Sequence, residues 1–209
     1  MYLSQLHIDW KKAQNPYELH RAIWGLFPDR PEDKRDFLFR VEALERHQGA
    51  RVLMFSQKVP LEHAEHVRLL AMRDWAPAFT EGQRLRFRLR ANPIKSIADE
   101  RKGTKTGKNG KEYVRRARVP LINEHQQKAW LERKLEAAAS IEQLVIQSEM
   151  PLRFTKLDQE KQRMVGKVQS VMFDGVLVVR DPQELLKYLR EGVGPAKSFG
   201  CGLLSLAMA

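Results

Sequence analysis

The stretch Arg84-Leu85-Arg86-Phe87-Arg88-Leu89-Arg90 alternates without a break. That alternation dictates a strand, with Leu85, Phe87 and Leu89 on one face and four arginines on the other. On a helix the same residues spiral around the axis and form no clean apolar stripe. Four guanidinium groups at two-residue spacing repel one another unless something anionic lies across them. The charge continues past the strand: between Arg84 and Arg118 stand thirteen Lys/Arg and three acids, a net +10 of the chain's +11 in 35 of its 209 residues. The remainder is close to neutral. A basic strand followed by a basic loop points to a nucleic-acid backbone as partner. The alternative is a solvated strand face beside a disordered loop. Such a face usually mixes in glutamates, and none occurs between Arg84 and Lys95.

The length suits one large domain or two of about 100 residues each. With 43% hydrophobic and 30% charged residues, the chain has the composition of a soluble protein that can bury a core. Met1 to Asp9 lacks the basic start and apolar run of a signal peptide. No segment approaches the roughly 20 apolar residues that span a membrane, so no membrane partner is expected. The single Cys201 excludes an internal disulfide and fits a reducing cytoplasm. His63 and His66 are spaced for one helix face, but no nearby Cys or third His completes a site. Neither a metal nor a cofactor is expected.

Taken in order, Tyr2 to Asp9 reads as a first strand. Asn15-Pro16 reads as an N-cap with proline at the first helical position, opening a helix through Phe27 whose apolar stripe is Leu19, Ile23, Leu26 and Phe27. Phe37–Leu44 and Arg51–Ser56 read as strands around a turn at His47-Gln48-Gly49. Leu61–Asp74 reads as a second helix, and Arg84–Arg90 as the strand that closes a β-α-β-β-α-β unit over residues 1–95. Residues 96–118, rich in Lys, Gly and Thr, form a basic flexible loop or the tip of a long hairpin. Residues 119–209 repeat the alternation less cleanly. Glu124–Ala139 is a helix with Ala129, Trp130, Leu131, Leu135 and Ala138 inward, and Ile141–Ser148 is a strand. Gly166–Phe173 and Gly175–Val179 form a hairpin turning at Asp174-Gly175. Asp181-Pro182 caps a helix to Arg190, and Ser198–Met208 is the last strand. The fold class is α+β, two tandem ferredoxin-like (β-α-β-β-α-β) domains.

Such sheets commonly bind single-stranded RNA through exposed aromatics. The basic strand lacks that signature, and its arginines suit the phosphates of a folded stem. RNA can be cleaved by its own 2′-hydroxyl, given a base, an acid and donors for the phosphorane. Histidine fits either proton-transfer role near neutral pH, and His20 lies one turn from Tyr17 on the first helix. A lone helical histidine is also a common solvated residue. The segment Gly192-Val193-Gly194-Pro195-Ala196-Lys197-Ser198-Phe199-Gly200-Cys201-Gly202 lets backbone N–H groups approach an anion, or serves as a plain turn. It matches no Walker loop or dinucleotide fingerprint.

Several motifs together resemble the CasE family of type I-E CRISPR-associated repeat-processing endoribonucleases. They are Tyr17-x-x-His20, Leu26-Phe27-Pro28-x-Arg30-Pro31, Arg35-Asp36-Phe37-Leu38-Phe39, Phe87-Arg88-Leu89-Arg90-Ala91-Asn92-Pro93-Ile94-Lys95, Arg118-Val119-Pro120-Leu121-Ile122 and Gly194-Pro195-Ala196-Lys197-Ser198-x-Gly200-Cys201-Gly202. The resemblance covers essentially the whole chain. It implies metal-independent cleavage of CRISPR precursor RNA at the 3′ base of the repeat hairpin, leaving a 5′-hydroxyl and a 2′,3′-cyclic phosphate. The product is then retained within the Cascade complex, whose other subunits are partners. The family's catalytic histidine falls on His20 and its active-site tyrosine on Tyr17; its glycine-rich loop falls on Gly194, Gly200 and Gly202. Charge and resemblance together nominate Arg30, Arg35, Arg86, Arg88, Arg90, Lys95, Arg115, Arg116, Arg118, Lys197 and Ser198 as RNA-binding residues. The competing readings are a hairpin-binding scaffold of the same fold without catalysis and a basic ribosome-associated protein.

Overall fold

The computed structural model describes residues 1–28, 36–107, 110–157 and 162–209. The chain opens with β1 (Tyr2–Ile8), in which Ser4, Leu6 and Ile8 point inward, followed by a one-turn helix α1 (Trp10–Ala13). Next comes α2 (Pro16–Trp24), capped by Asn15, whose side chain accepts the Tyr17 N–H, with Pro16 at the first position. Its stripe of Leu19, Ala22 and Ile23, extended by Leu26 and Phe27, is buried as the sequence predicts. The strands β2 (Phe37–Glu45), β3 (Gly49–Ser56), the two-residue β4 (His63–Ala64) and β5 (Val67–Asp74) follow. They complete a sheet of order β2-β3-β1-β5-β4. Phe37, Phe39, Val52 and Met54 meet α2 in its core.

The helix expected over Leu61–Asp74 is absent. β5 instead pairs antiparallel with β1, from Tyr2 opposite Asp74 to Ile8 opposite Val67. The edge of β1 offers a row of backbone partners, and the apolar Val67 and Leu69 fall two residues apart, the strand period. His63 and His66 therefore share no helix face. His63 lies on β4, and His66 takes φ of 65° in the turn between β4 and β5.

The basic strand is β6 (Arg84–Ala91), and its burial alternates as expected, with Leu85, Phe87 and Leu89 buried. It does not close the first sheet. From here the chain forms a long hairpin, with β7 (Ile94–Ala98) and β10 (Arg116–Pro120) paired at its base and β8 (Thr104–Thr106) and β9 (Glu112–Val114) beyond. Of the two forms expected, the described residues of the 96–118 segment take the hairpin. Then come α3 (Glu124–Leu135), β11 (Ala139–Ser148), β12 (Leu152–Leu157) paired with β13 (Arg163–Val168), β14 (Val171–Val179), α4 (Pro182–Glu191) and β15 (Leu204–Met208).

The second sheet has the order β11-β14-β6-β15. Leaving aside the two inserted hairpins, β6-α3-β11-β14-α4-β15 is a second ferredoxin-like unit with β6 as its first, internal strand. The first sheet is complete at Asp74, not at Lys95. β6 joins the second because its apolar face opposes Leu177 and Phe173 of β14 and Leu204 and Leu206 of β15, all against α3 and α4. Ala129 is exposed on α3, and the buried Gln127 takes an inward place by donating to the Leu121 and Ile122 carbonyls.

Asp174-Gly175 is not a turn. β14 runs straight through it, opposite a bulge between Ile141 and Gln143 of β11. A Cβ at Gly175 would overlap the Gln143 carbonyl and press on the Phe87 ring, so the glycine serves close approach rather than reversal.

The two sheets meet through Leu38, Phe55 and Leu203. Beside them the buried Arg40 donates Nε–H to Glu42 Oε1 at 2.8 Å and Nη1–H to the carbonyls of Arg88 at 3.2 Å and Leu203 at 3.4 Å. No helix among the described residues is long and apolar enough to cross a membrane.

Candidate active site

Tyr17 and His20 stand one turn apart on α2, both partly exposed, while Leu19 and Ile23 of the same helix are fully in the core. The His20 ring rests on an aromatic shelf. It stacks at 21° over Phe39 with centroids 6.1 Å apart, lies 5.8 Å from Phe37, and meets Trp24 edge-on at 6.3 Å. Flat aromatic walls restrict the imidazole to a narrow range of orientations, a condition for proton transfer along a fixed line.

The glycine-rich loop packs against this helix through a single 3₁₀ turn, Lys197–Phe199. Gly194, Gly200 and Gly202 take φ of 78°, 77° and 93°, values that side chains other than glycine's rarely adopt. The loop is pinned at both ends. Gly202 N–H donates to the Arg90 carbonyl and Val193 N–H to the Gly202 carbonyl, while Lys197 Nζ donates to the Glu191 carbonyl. The choice left open in the sequence, a plain turn or a functional loop, narrows accordingly. The glycines meet conformational demands of the fold, and the turn they shape brings Lys197 and Ser198 to the α2 side of the molecule.

The arginines of β6 are largely satisfied within the protein. Arg84 forms a bidentate pair with Glu142 at 2.8 and 2.9 Å, Arg88 pairs with Asp174 at 2.7 Å, and Arg90 grips Glu149 at 2.5–3.1 Å while donating to the Val41 carbonyl at 3.3 Å. The hydrogen bond to Arg84 holds the Glu142 carboxyl below its ordinary range, and Arg84 rises in turn. Acids on β14, in the β11 bulge and just past β11 supply the anions that the strand, read alone, lacks. Arg86 faces Val176 and Ala207 across the sheet with no acid opposite.

On the long hairpin, Arg116 and Arg118 share a ribbon face with Ser96, to which Arg116 donates at 2.9 and 2.6 Å. Lys95, opposite Val119, lies on the other face, and Arg115 falls between β9 and β10. All four are exposed. Arg30 and Arg35 lie outside the described residues. The structure therefore brings Tyr17, His20, Lys197 and Ser198 onto touching elements, and places the hairpin cations on a separate ribbon.

Sequence reasoning missed Arg40 and Asn15. Arg40 left one signal, an arginine in the apolar run Phe37-Leu38-Phe39-Arg40-Val41, where a charge survives only if fully paired. Burial pushes the Arg40 pKa down, and Glu42 opposes the shift. The sequence marks Asn15 as a cap; its side chain also bonds to Thr155 of β12. Among the described residues no cluster of three or more His, Cys, Asp or Glu side chains is placed to hold a metal ion.

Two tandem units of ferredoxin-like strand order, the first without its second helix, carry a Tyr/His helix against a glycine-rich loop and define a class of CRISPR-associated protein; the family model described as CRISPR associated protein matches residues 1–208. The Cascade subunit CasE of Escherichia coli K12 is 42% identical over 207 residues, 99% of each chain. The crystal structure of Cas6e from Escherichia coli K-12 superposes with a TM-score of 0.82 at 40% identity, covering 100% of both chains. The CRISPR endoribonuclease Cse3 bound to a 19-nucleotide RNA gives 0.77 at 33% identity, over 99% of this chain and 100% of that one. The chain belongs to this CasE/Cse3 family of CRISPR-associated proteins.

Proposed function

We propose that this chain is an endoribonuclease that cuts CRISPR precursor RNA at the 3′ base of the repeat hairpin and holds its product as a Cascade subunit in the cytoplasm. Two of the similar proteins support the reading by name, one as a Cascade subunit and one as an endoribonuclease bound to RNA. The observation that carries it is the seating of Tyr17 and His20 on a helix that packs against the glycine-rich loop. In the reaction the 2′-oxygen bonds to the adjacent phosphorus and the bond from phosphorus to the 5′-oxygen breaks. This yields a 2′,3′-cyclic phosphate and a 5′-hydroxyl. One proton leaves the 2′-oxygen and one reaches the 5′-oxygen, and His20 serves one of these transfers. The Tyr17 hydroxyl and the donors of the 194–202 loop stabilise the charge that builds on the phosphorane. No step in this scheme calls on a metal ion.

The test uses a labelled repeat hairpin in EDTA, intact and with a 2′-deoxy nucleotide at the cut. The expected outcome is cleavage of the intact RNA alone, and its loss by at least about a thousandfold in His20→Ala with hairpin affinity kept. A requirement for magnesium would sink the mechanism. Tight binding without cleavage of the cognate repeat would favour the non-catalytic scaffold.

A further inference from the structure

The helix that carries Tyr17 and His20 is tied to the β12–β13 hairpin, a segment more than 130 residues away, through the side chain that caps it. Asn15 Oδ1 accepts the Tyr17 N–H at 3.1 Å, which is ordinary capping. The same amide also grips a backbone: Nδ2 donates to the Thr155 carbonyl at 2.8 Å, and Oδ1 accepts the Thr155 N–H at 3.4 Å. A side-chain amide thereby takes the place of a neighbouring strand for one residue of β12.

The adjoining residue extends the grip. Phe154 lies 4.4 Å from Phe199 of the glycine-rich loop, centroid to centroid. On the partner strand Gly166 stands opposite Phe154, and a Cβ there would overlap the Phe154 ring. The ring therefore lies flat across β13, held over a glycine that leaves it room. Two successive residues of one strand thus hold two parts of the site, Thr155 the start of the helix and Phe154 the loop.

Capping alone does not require asparagine. Aspartate caps equally well and suits the positive end of the helix better. Only the amide NH₂ can donate to the Thr155 carbonyl, and a carboxylate in its place would point a lone pair at that oxygen. The choice of asparagine over aspartate is set by the hairpin, not by the helix.

We propose that Asn15 is a positioning residue for the cleavage reaction. Through Thr155 it fixes the α2 helix on the β12–β13 hairpin, and through the same strand it sets the distance between His20 and the 194–202 loop. This rests on the reading of His20 and Tyr17 as the catalytic pair.

The decisive variant is Asn15→Asp, which keeps the cap and removes the donor, with Asn15→Ser as a second variant of the same kind. Both are compared with the unaltered protein by single-turnover cleavage at saturating enzyme, by affinity for the 2′-deoxy hairpin, and by thermal melting. His20→Ala is run in parallel. The expected result is a cleavage rate lowered by about tenfold to a hundredfold in both variants, with the pH at which the rate changes kept. Hairpin affinity should hold to within about threefold, a shift well under one tenfold step in binding free energy. Cleavage at the unaltered rate in Asn15→Asp and Asn15→Ser, with His20→Ala inactive, would overturn the positioning role and leave the catalytic assignment standing. A loss of affinity with the saturating rate intact would overturn it too, by making Asn15 a binding residue. Cleavage surviving in His20→Ala would overturn the parent reading instead.

Discussion

Cys201 sits inside the glycine-rich loop with no exposed surface, and burial pushes its thiol pKa up to about 12. Since the thiolate is the reactive form, the folded protein should ignore a thiol-specific reagent at pH 8, and react fully once denatured. The same shift carries a pH dependence. The unfolded thiol ionises near pH 8.5 while the folded one stays neutral. The contribution to stability is therefore complete below that pH and is lost as pH climbs toward 12. Prompt labelling of the native protein would show that the loop opens. Residue by residue, the placement of Tyr17 and His20 one turn apart on a helix was legible from the Asn15-Pro16 start and their spacing. The burial of Arg40 was not legible, because besides the nearby Glu42 its partners are two backbone carbonyls contributed by β6 and by the segment before β15. No local pattern encodes a contact across more than 160 residues.

The elements themselves were legible where one physical signal dominated. The strict alternation of β6 and the Asn15-Pro16 and Asp181-Pro182 starts of α2 and α4 are all present in the structure. The reading failed where a strand edge outbid the local pattern. Leu61–Asp74 has enough apolar residues for a helix, yet the edge of β1 drew it into the sheet. Gly175 misled differently, since a glycine after an aspartate is the commonest hairpin signal, while here it accommodates the bulge of β11. Gly175→Ala should accordingly destabilise the protein by about 1–3 kcal/mol. Thermal melting would register this as a lower Tm with cleavage retained below the transition. An unchanged Tm would mean that β11 bends away freely.

At the scale of the molecule the sheets meet at an apolar cluster, with Arg40 beside it. Truncating this side chain removes a donor from the Arg88 and Leu203 carbonyls and leaves Glu42 half-buried without its partner. Arg40→Ala is expected to cost about 2–4 kcal/mol, and calorimetry should show a Tm lowered by roughly 5–15 °C. A shift within about 1 °C would show that the apolar contacts alone hold the sheets together. The concentrated charge is real at the level of composition, but in the fold three of its four strand arginines are paired with acids on β14, in the β11 bulge and just past β11.

The placement of β6 as an internal strand also sets an order of assembly. A chain emerging from the ribosome can finish its first sheet once Asp74 is out. β6 follows within a few residues, but its hydrogen-bonding neighbours are β14 and β15, the latter ending at Met208. Until β14 (Val171–Val179) is made, β6 has both edges open, and the β15 edge stays open until Leu204–Met208 follows. An apolar strand left in that state invites pairing with other nascent chains. Arginine at every second position, uncompensated until Asp174, Glu142 and Glu149 arrive, makes two such strands repel. The charge that reads as a mark of the finished protein's partner also guards the unfinished chain against itself.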